Sequence, residues 1–431
     1  MNADAIVIGA GAAGLAAARG VAGGGFSAVV LEARDRIGGR ARTLYDPRCP
    51  APIELGAEFI HGTPQVTIDL MQLAGVVAVG EGGSSWVYRG SGWQREDDLF
   101  ERVTELAEKI DREASDESVE AFLSRYRRDP RYEDAARWME RLVEGFDAAD
   151  PAQASAHAIA QEWCGAASLR NSQARPSSGY ERLLGALARA LPLDRVRVDL
   201  QTVVHEIEWG ERGVIVRAER FGQRCEYRAR MAIVTLPIGV LASGTVQFIP
   251  PLPAEKQRAI SSIAMGPVVK IALRFGTRFW ADLQHGRFAD AAFFSNFEGA
   301  FATFWTSYPI VSPLIVGWAG GPRARRFTER SEAEIVSLAI DEIAAMFSIP
   351  RARVLDHLEA AYVHDWQRDP YALGAYSYLK TGGVGAREAL ATPVNGTLFF
   401  AGEAAAGISE AGTVAGALIS GATASEKALL T

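Results

Sequence analysis

Residues 5–40 read AIVIGAGAAGLAAARGVAGGGFSAVVLEARDRIGGR, and this stretch decides the fold. The apolar run Ala5-Ile6-Val7-Ile8 has the unbroken hydrophobicity of a buried parallel strand. Gly9, Gly11 and Gly14 follow in G-x-G-x-x-G spacing. The first permits a tight turn, the second lets the backbone approach a pyrophosphate, and the third lets the next helix pack on the strand. A helix from Ala12 to about Val21 then aims its free N–H groups and positive dipole end at the phosphates. Gly23-Gly24-Gly25 ends that helix, and Ser27 to Leu31 is the second strand. Glu32 closes it, 18 positions past the last glycine, where a carboxylate accepts hydrogen bonds from adenosine ribose hydroxyls. Strand, turn, helix and acid together predict an α/β, doubly wound, Rossmann-like domain.

The residues just beyond sharpen the expected ligand. Glu32, Arg34, Gly38, Gly39 and Arg40 form E-x-R-x-x-x-G-G-R, which resembles the flavoprotein extension of the fingerprint rather than the nicotinamide one. Two further glycines and an arginine add a second close approach and a positive charge. FAD is the cofactor this pattern predicts.

Composition bounds the rest. A chain of 431 residues, 48% hydrophobic and 23% charged, has room for two domains and a large core. A net charge of −7 argues against a nucleic-acid partner and leans toward cationic small molecules. Cys49, Cys164 and Cys225 are far apart and match no metal or redox spacing, so they read as reduced thiols, with no metal expected. The uncharged segment from Ala5 to Ala18 is too short to span a bilayer, and the first strand starts almost at once. The expectation is a cytoplasmic protein without membrane contact.

Further along, Pro52 to Gly62 (PIELGAEFIHG) reads as a strand and a glycine-flanked turn. With residues 5–40 it resembles the flavin-containing amine oxidases: monoamine oxidases, polyamine oxidases and lysine-specific histone demethylases. The resemblance implies that Gly56 and Ala57 lie against the flavin and that His61 lines the substrate cavity. Where the family usually has Thr or Ser followed by Trp, this chain has Glu58 and Phe59. Two readings of Glu58 stand side by side: an anchor for a substrate ammonium, or a carboxylate turned to a neighbouring arginine.

From about Asp97 to Arg189 the period becomes helical, with Leu99, Val103, Leu106 and Ile110 on one face and breaks at Asp129-Pro130 and Asp150-Pro151. Residues 196–237 alternate as strands, and Val204 matches the family valine that contacts adenine. Met265 to Phe275 reads as one strand carrying Lys270. Spacing alone favours a lysine snorkelling to water; the resemblance implies one that holds a water against flavin N5. The aromatic stretch from Phe279 to Trp318 divides between core and cavity in a way the sequence leaves open. Ser331, with Glu334 three residues on, predicts a capped helix to Phe347.

The last sixty-five or so residues complete the resemblance. Trp366 to Tyr378 matches the segment that brings a tryptophan and a tyrosine, here Trp366 and Tyr376, to the flavin face. Ala375 occupies the position of the covalently linked cysteine of monoamine oxidases, so a non-covalent flavin is implied. Gly402 and Glu403 end a buried strand, and a last helix begins around Thr413 and Val414, its N-terminus facing the flavin. Thr413 replaces the second cage tyrosine of monoamine oxidases, as in the polyamine oxidase and demethylase branch, and is expected at the substrate.

The resemblance implies an FAD domain of residues 1–80, 178–262 and 386–431, and an α+β substrate domain of residues 81–177 and 263–385. It implies oxidation of an amine C–N bond, with oxygen as electron acceptor; the oligomeric state stays open. A flavin-dependent C–C desaturase or porphyrinogen oxidase, and a non-catalytic carrier on the same fold, are the alternatives. Lys270 and the Trp366/Tyr376 segment speak against the first, and Gly39, Arg40, Gly402 and Glu403 against the second. The loop Leu169 to Arg175 is basic, which places an apolar or modestly polar amine ahead of a polyamine.

Overall fold

The computed structural model describes residues 3–90, 92–96, 99–164, 172–296 and 298–431. Its centre is a five-stranded parallel sheet in the order Val196–Asp199, Ala28–Leu31, Ala5–Ile8, Met231–Val234, Leu398–Phe400. Every residue of the Ala5, Ala28, Met231 and Leu398 strands is buried, which is why each is an uninterrupted apolar run. Helix Ala12–Gly23 follows the first strand and packs along the last helix, Val414–Leu429. A side chain at Gly421 would stand 2.1 Å from the Ala13 carbonyl oxygen, so glycine sets how closely the two helices approach. Gly416 serves similar internal packing, its added Cβ falling 2.0 Å from the Glu410 carbonyl oxygen. No described helix is long and apolar enough to cross a membrane.

A second, seven-stranded sheet runs Leu358–Asp365, Val268–Phe275, Leu314–Gly320, Thr303–Thr306, Ala291–Ser295, Ser84–Tyr88, Trp93–Arg95. One face carries Ile271, Leu273, Phe275, Phe294 and Phe304, packed under helix Glu332–Phe347. That helix has the expected capping box, with Ser331 and Glu334 bonding reciprocally. The opposite face carries Ala272, Trp305, Val316 and, packed against them, Phe293 and Trp318. Strand alternation therefore divides the aromatic stretch between core and cavity wall. Phe297, also part of that stretch, lies outside the described residues, as do Asp97, Asp98 and Leu169 to Asn171 of the basic loop.

Two readings of local structure are corrected. Met265 and Lys270 are not on one strand: Pro267, which has no N–H to give a ladder, separates Ile263–Gly266 from Val268–Phe275. Ile263–Gly266 pairs instead with Tyr376–Leu379. Within the helical block, Gln173–Pro176 is a strand held between Ile60–His61 and Ala78–Gly80. Its partners are about a hundred residues away in sequence, and four residues containing an arginine and a proline carry no period of their own.

Candidate active site

One continuous cavity of about 1350 Å³ runs from Gly9, Glu32 and Val204 at one end to Lys270, Trp305 and Tyr376 at the other. That exceeds the ~300–1,000 Å³ of most small-ligand pockets. At the first end Gly9 turns with φ +105°, and a Cβ on Gly14 would lie 1.8 Å from the Gly9 carbonyl oxygen. These two glycines are required by the chain's own packing. Gly11 is different: the nearest atom to an added Cβ is the Gly39 Cα at 4.0 Å, so the space beside it opens into the cavity.

Glu32 is buried, and its two oxygens accept the N–H groups of Ala10 (2.8 Å) and Arg34 (2.9 Å). A carboxylate has about four acceptor sites, so capacity for two hydroxyl donors remains. Arg34 reaches away from the glycine turn, pairing with Asp369 at 2.7 Å and lying over the Tyr371 ring. Arg40 joins distant segments, donating to the Ala375 carbonyl at 2.8 Å and to Glu403 at 2.7 Å. Ser377 donates to the other Glu403 oxygen. Burial pushes Glu403 up, but Arg40 and Arg387 outweigh it and hold the carboxyl below its ordinary range. Gly39, Gly56, Ala57, Gly402 and Val414 all line the same cavity. Thr413 lines it too, as the N-cap of the last helix: its hydroxyl accepts from Gly416 N–H and donates to the Glu410 carbonyl. The hydroxyl is thus engaged in the cap, while the residue keeps its place in the cavity lining.

At the other end the walls are aromatic. Phe59 lies 5.7 Å from Trp305, and His61 meets Phe146 edge-on at 5.6 Å. Tyr376 runs nearly parallel to Trp318, and its hydroxyl donates to the Phe146 carbonyl. Trp366 is only 2% exposed, with its indole N–H on the Leu55 carbonyl at 2.8 Å. It lines the cavity and packs with Ala148, Val268 and Ala372.

Lys270 is 1% exposed, which overturns the snorkelling reading. Its ammonium donates to Glu58 at 2.8 Å and to the Gly56 carbonyl at 3.1 Å, and lies over the Trp305 ring. With three N–H groups and two acceptors in the chain, one donor is left for the cavity. Glu58 also accepts from Arg175 at 2.8 Å and from the Trp305 indole at 2.9 Å. Burial raises the Glu58 carboxyl, but Lys270 and Arg175 outweigh it and keep it ionised. Of its two readings, the arginine-bound one is observed, with Lys270 added; as a free ammonium anchor Glu58 is corrected. Burial alone pushes His61 down to about 4, so the ring is neutral at ordinary pH.

Sequence reasoning did not single out Trp318, Asp147 or Glu162, all of which line the cavity. Trp318 sits directly across the strand pair from Lys270, a register no local pattern reveals. The two acids fall in the helical block from about Asp97 to Arg189, which carries none of the motifs behind the resemblance.

A parallel-sheet glycine turn opening into an aromatic chamber defines a dinucleotide-binding enzyme class. The sequence profile described as flavin containing amine oxidoreductase matches residues 12–85 and 87–429. Polyamine oxidase 5 of Oryza sativa subsp. japonica is 30% identical, over 98% of this chain and 86% of its own. Lysine-specific histone demethylase 1 homolog 3 of Arabidopsis thaliana is 29% identical over 96% of this chain, which spans 29% of that relative's length. Among solved structures, a wild-type putrescine oxidase bound to putrescine superposes with TM-score 0.83, at 21% identity and full coverage of both chains. Cyclohexylamine oxidase from Brevibacterium oxydans gives 0.81 at 24% identity, covering 100% of this chain and 99% of its own. The chain belongs to the flavin-containing amine oxidoreductases. Neither the desaturase nor the carrier alternative is favoured by these likenesses. The residues fit a flavin: open space beside Gly11, spare acceptors on Glu32, and a spare Lys270 donor at the junction with the aromatic chamber.

Proposed function

We propose that the protein is an FAD-dependent amine oxidase that holds its FAD without a covalent bond and oxidises the C–N bond of a small-molecule amine. The observation that carries this reading is the single cavity joining the glycine turn to the aromatic chamber, with Lys270 at the junction. A flavin bound there would supply the two-electron acceptor for the hydride of the amine's α-C–H bond as the nitrogen gives up a proton, with dioxygen as the terminal acceptor of those two electrons and two protons, giving hydrogen peroxide. The imine left behind hydrolyses to a carbonyl compound and an amine or ammonia.

The chain's own groups bind, orient and exclude water. Gly9, Gly11, Gly14 and the N-terminus of helix Ala12–Gly23 take the pyrophosphate, Glu32 the ribose, and Val204 the adenine. Gly39, Arg40, Gly56, Ala57, Gly402 and Glu403 surround the flavin half. Val414 starts a helix whose capped N-terminus favours negative charge nearby. Phe59, Trp305, Trp318 and Tyr376 desolvate the substrate, which favours a neutral amine over an ammonium at the reacting nitrogen. Lys270 holds a water with its remaining N–H. We take residues 1–80, 178–262 and 386–431 as the cofactor unit, residues 81–177 and 263–385 as the substrate unit, and the cytoplasm as the location.

Purified protein is expected to be yellow, to bleach anaerobically with its amine, and to regain colour with peroxide release in air. Because Ala375 offers no thiol, heat or acid precipitation is expected to release the colour into the supernatant. Colour retained in the pellet rules out the non-covalent reading. No amine bleaching the yellow protein rules out the oxidase itself.

His61 is neutral across the working range, so it is not the group whose protonation limits activity at low pH. His61→Asn is expected to change KM while leaving the acid limb of the kcat/KM profile in place. A limb that moves by about a pH unit or disappears assigns the proton to His61 after all.

A further inference from the structure

The indole of Trp366 lines the cavity, and a side chain with no role so far meets it edge-on. His364 lies one residue before the end of strand Leu358–Asp365, and Trp366 follows that end. Two residues apart in extended chain, they point to one side, and their ring centroids are 4.0 Å apart.

His364 is held at both nitrogens. Arg42 Nη1 lies 2.8 Å from Nδ1, and Asp369 Oδ2 lies 3.4 Å from Nε2. A guanidinium only donates, so Nδ1 is the bare nitrogen that accepts. The ring proton then sits on Nε2, on the side of the carboxylate. Asp369 also accepts from Arg34 Nη2 at 2.7 Å and from the Tyr371 N–H at 3.0 Å. Burial pushes Asp369 up, but His364 and Arg34 outweigh it and hold the carboxyl well below its ordinary range. Arg42, His364, Asp369 and Arg34 thus form one row of alternating donors and acceptors.

A second path joins Arg42 to Trp366. The Leu55 N–H donates to the Arg42 carbonyl at 2.8 Å, and the Leu55 carbonyl accepts the Trp366 indole N–H at 2.8 Å. Arg42, His364, Trp366 and Leu55 therefore close a ring of contacts. An indole held by its N–H alone can hinge about that bond; the pinned imidazole removes this freedom. Lys270 stands beside the same ring. It is the partner of His364 across the ladder, and its ammonium donates to the carbonyl of Gly56, the residue after Leu55. Filling space does not require histidine here. A phenylalanine would meet the indole as well, but would leave Arg42 and Asp369 each short of a partner.

We infer that His364 is a positioning residue, its ring fixed by Arg42 and Asp369 so that Trp366 keeps one orientation in the cavity wall beside Lys270. The kinetic consequence rests on the amine oxidase reading; the grip on the indole does not.

The test follows indole N–H exchange by NMR in the flavin-free protein, with Trp366→Phe identifying the Trp366 signal among the nine tryptophans. His364→Phe keeps a ring and loses both nitrogens, while Arg42→Met keeps the stem and loses the donor. Each is expected to speed exchange of the Trp366 N–H at least about tenfold, the other indoles staying within about twofold. In the FAD-loaded protein each is expected to lower kcat about tenfold, with KM within about threefold, as fits a displaced wall. The double variant is expected to be no worse than either single one, because both break the same row. Wild-type exchange and kcat in His364→Phe overturn the inference, since the ring then only fills space. Faster exchange of every indole together, or kcat losses that multiply in the double variant, also overturn it, as signs of general destabilisation or of separate roles. Faster Trp366 exchange with unchanged kcat removes His364 from the reaction and overturns it as well. If no amine is oxidised yet the Trp366 signal responds as expected, the grip on the indole stands and the oxidase reading falls. If His364→Phe does not fold, Arg42→Met decides, unchanged exchange and kcat overturning the inference.

Discussion

Lys270→Met is expected to cost about 3 kcal/mol of folding stability, and adding Glu58→Gln to return most of it. The ion pair is buried on both sides, with side-chain exposures of 1% and 9%. Removing the ammonium strands a nearly buried carboxylate, which typically costs about 3–5 kcal/mol. Arg175 and the Trp305 indole remain on the other Glu58 oxygen and keep the loss at the lower end. Neutralising Glu58 removes the stranded charge, and Arg175 retains Glu81 and the Thr306 carbonyl as partners. Urea unfolding of flavin-free wild type, both single variants and the double variant forms the cycle. Losses that simply add show that the two groups do not act as a pair. In the loaded enzyme, Lys270→Met is also expected to slow the return of colour in air by about a hundredfold, while the amine concentration for half-bleaching stays within a few-fold. Reoxidation and product release at wild-type rates remove Lys270 from the chemistry and leave it a purely structural residue.

That ion pair also shows where sequence reading stops. Lys270, Glu58 and Arg175 come from three segments of the chain and meet because Val268–Phe275 and Gln173–Pro176 are placed by partners distant in sequence. The glycine turn was legible since its strand, turn, helix and acid are contiguous, and each residue type answers a local steric or electrostatic demand. The capping box at Ser331 and Glu334 was legible on the same ground. Strand alternation predicts that alternate aromatics share a face but not which face meets the core, so Phe294 and Trp305 were indistinguishable until the sheet's partner helix was seen. Asp147 and Glu162 had no signal at all: an acid in a helical block reads as solvated surface unless its surroundings are known.

The glycine turn yields the sharpest separation between what the fold needs and what a ligand needs. Gly14→Ala is expected to destabilise the flavin-free protein by about 3 kcal/mol or more, because its Cβ would stand 1.8 Å from a backbone oxygen that cannot swing away. Gly11→Ala meets nothing within 4 Å except the Gly39 Cα at 4.0 Å, and Gly11 has an ordinary φ of −75°. Its cost to the flavin-free chain is expected to be only about 0.5 kcal/mol, the small penalty of alanine at a helix N-cap. Nothing in the chain therefore accounts for glycine at position 11. An occupant of the cavity does, since a methyl group there projects into the space where a pyrophosphate meets the helix N-terminus. Gly11→Ala is accordingly expected to fold with a melting temperature near wild type, yet to bind FAD at least about tenfold more weakly, as overpacking of a tight contact predicts. Calorimetry of the two flavin-free variants, followed by titration with FAD, measures both quantities. Unimpaired FAD binding by Gly11→Ala would mean that the pyrophosphate does not lie against this turn, and the assignment of Gly9, Gly11 and Gly14 as its cradle would fail with it.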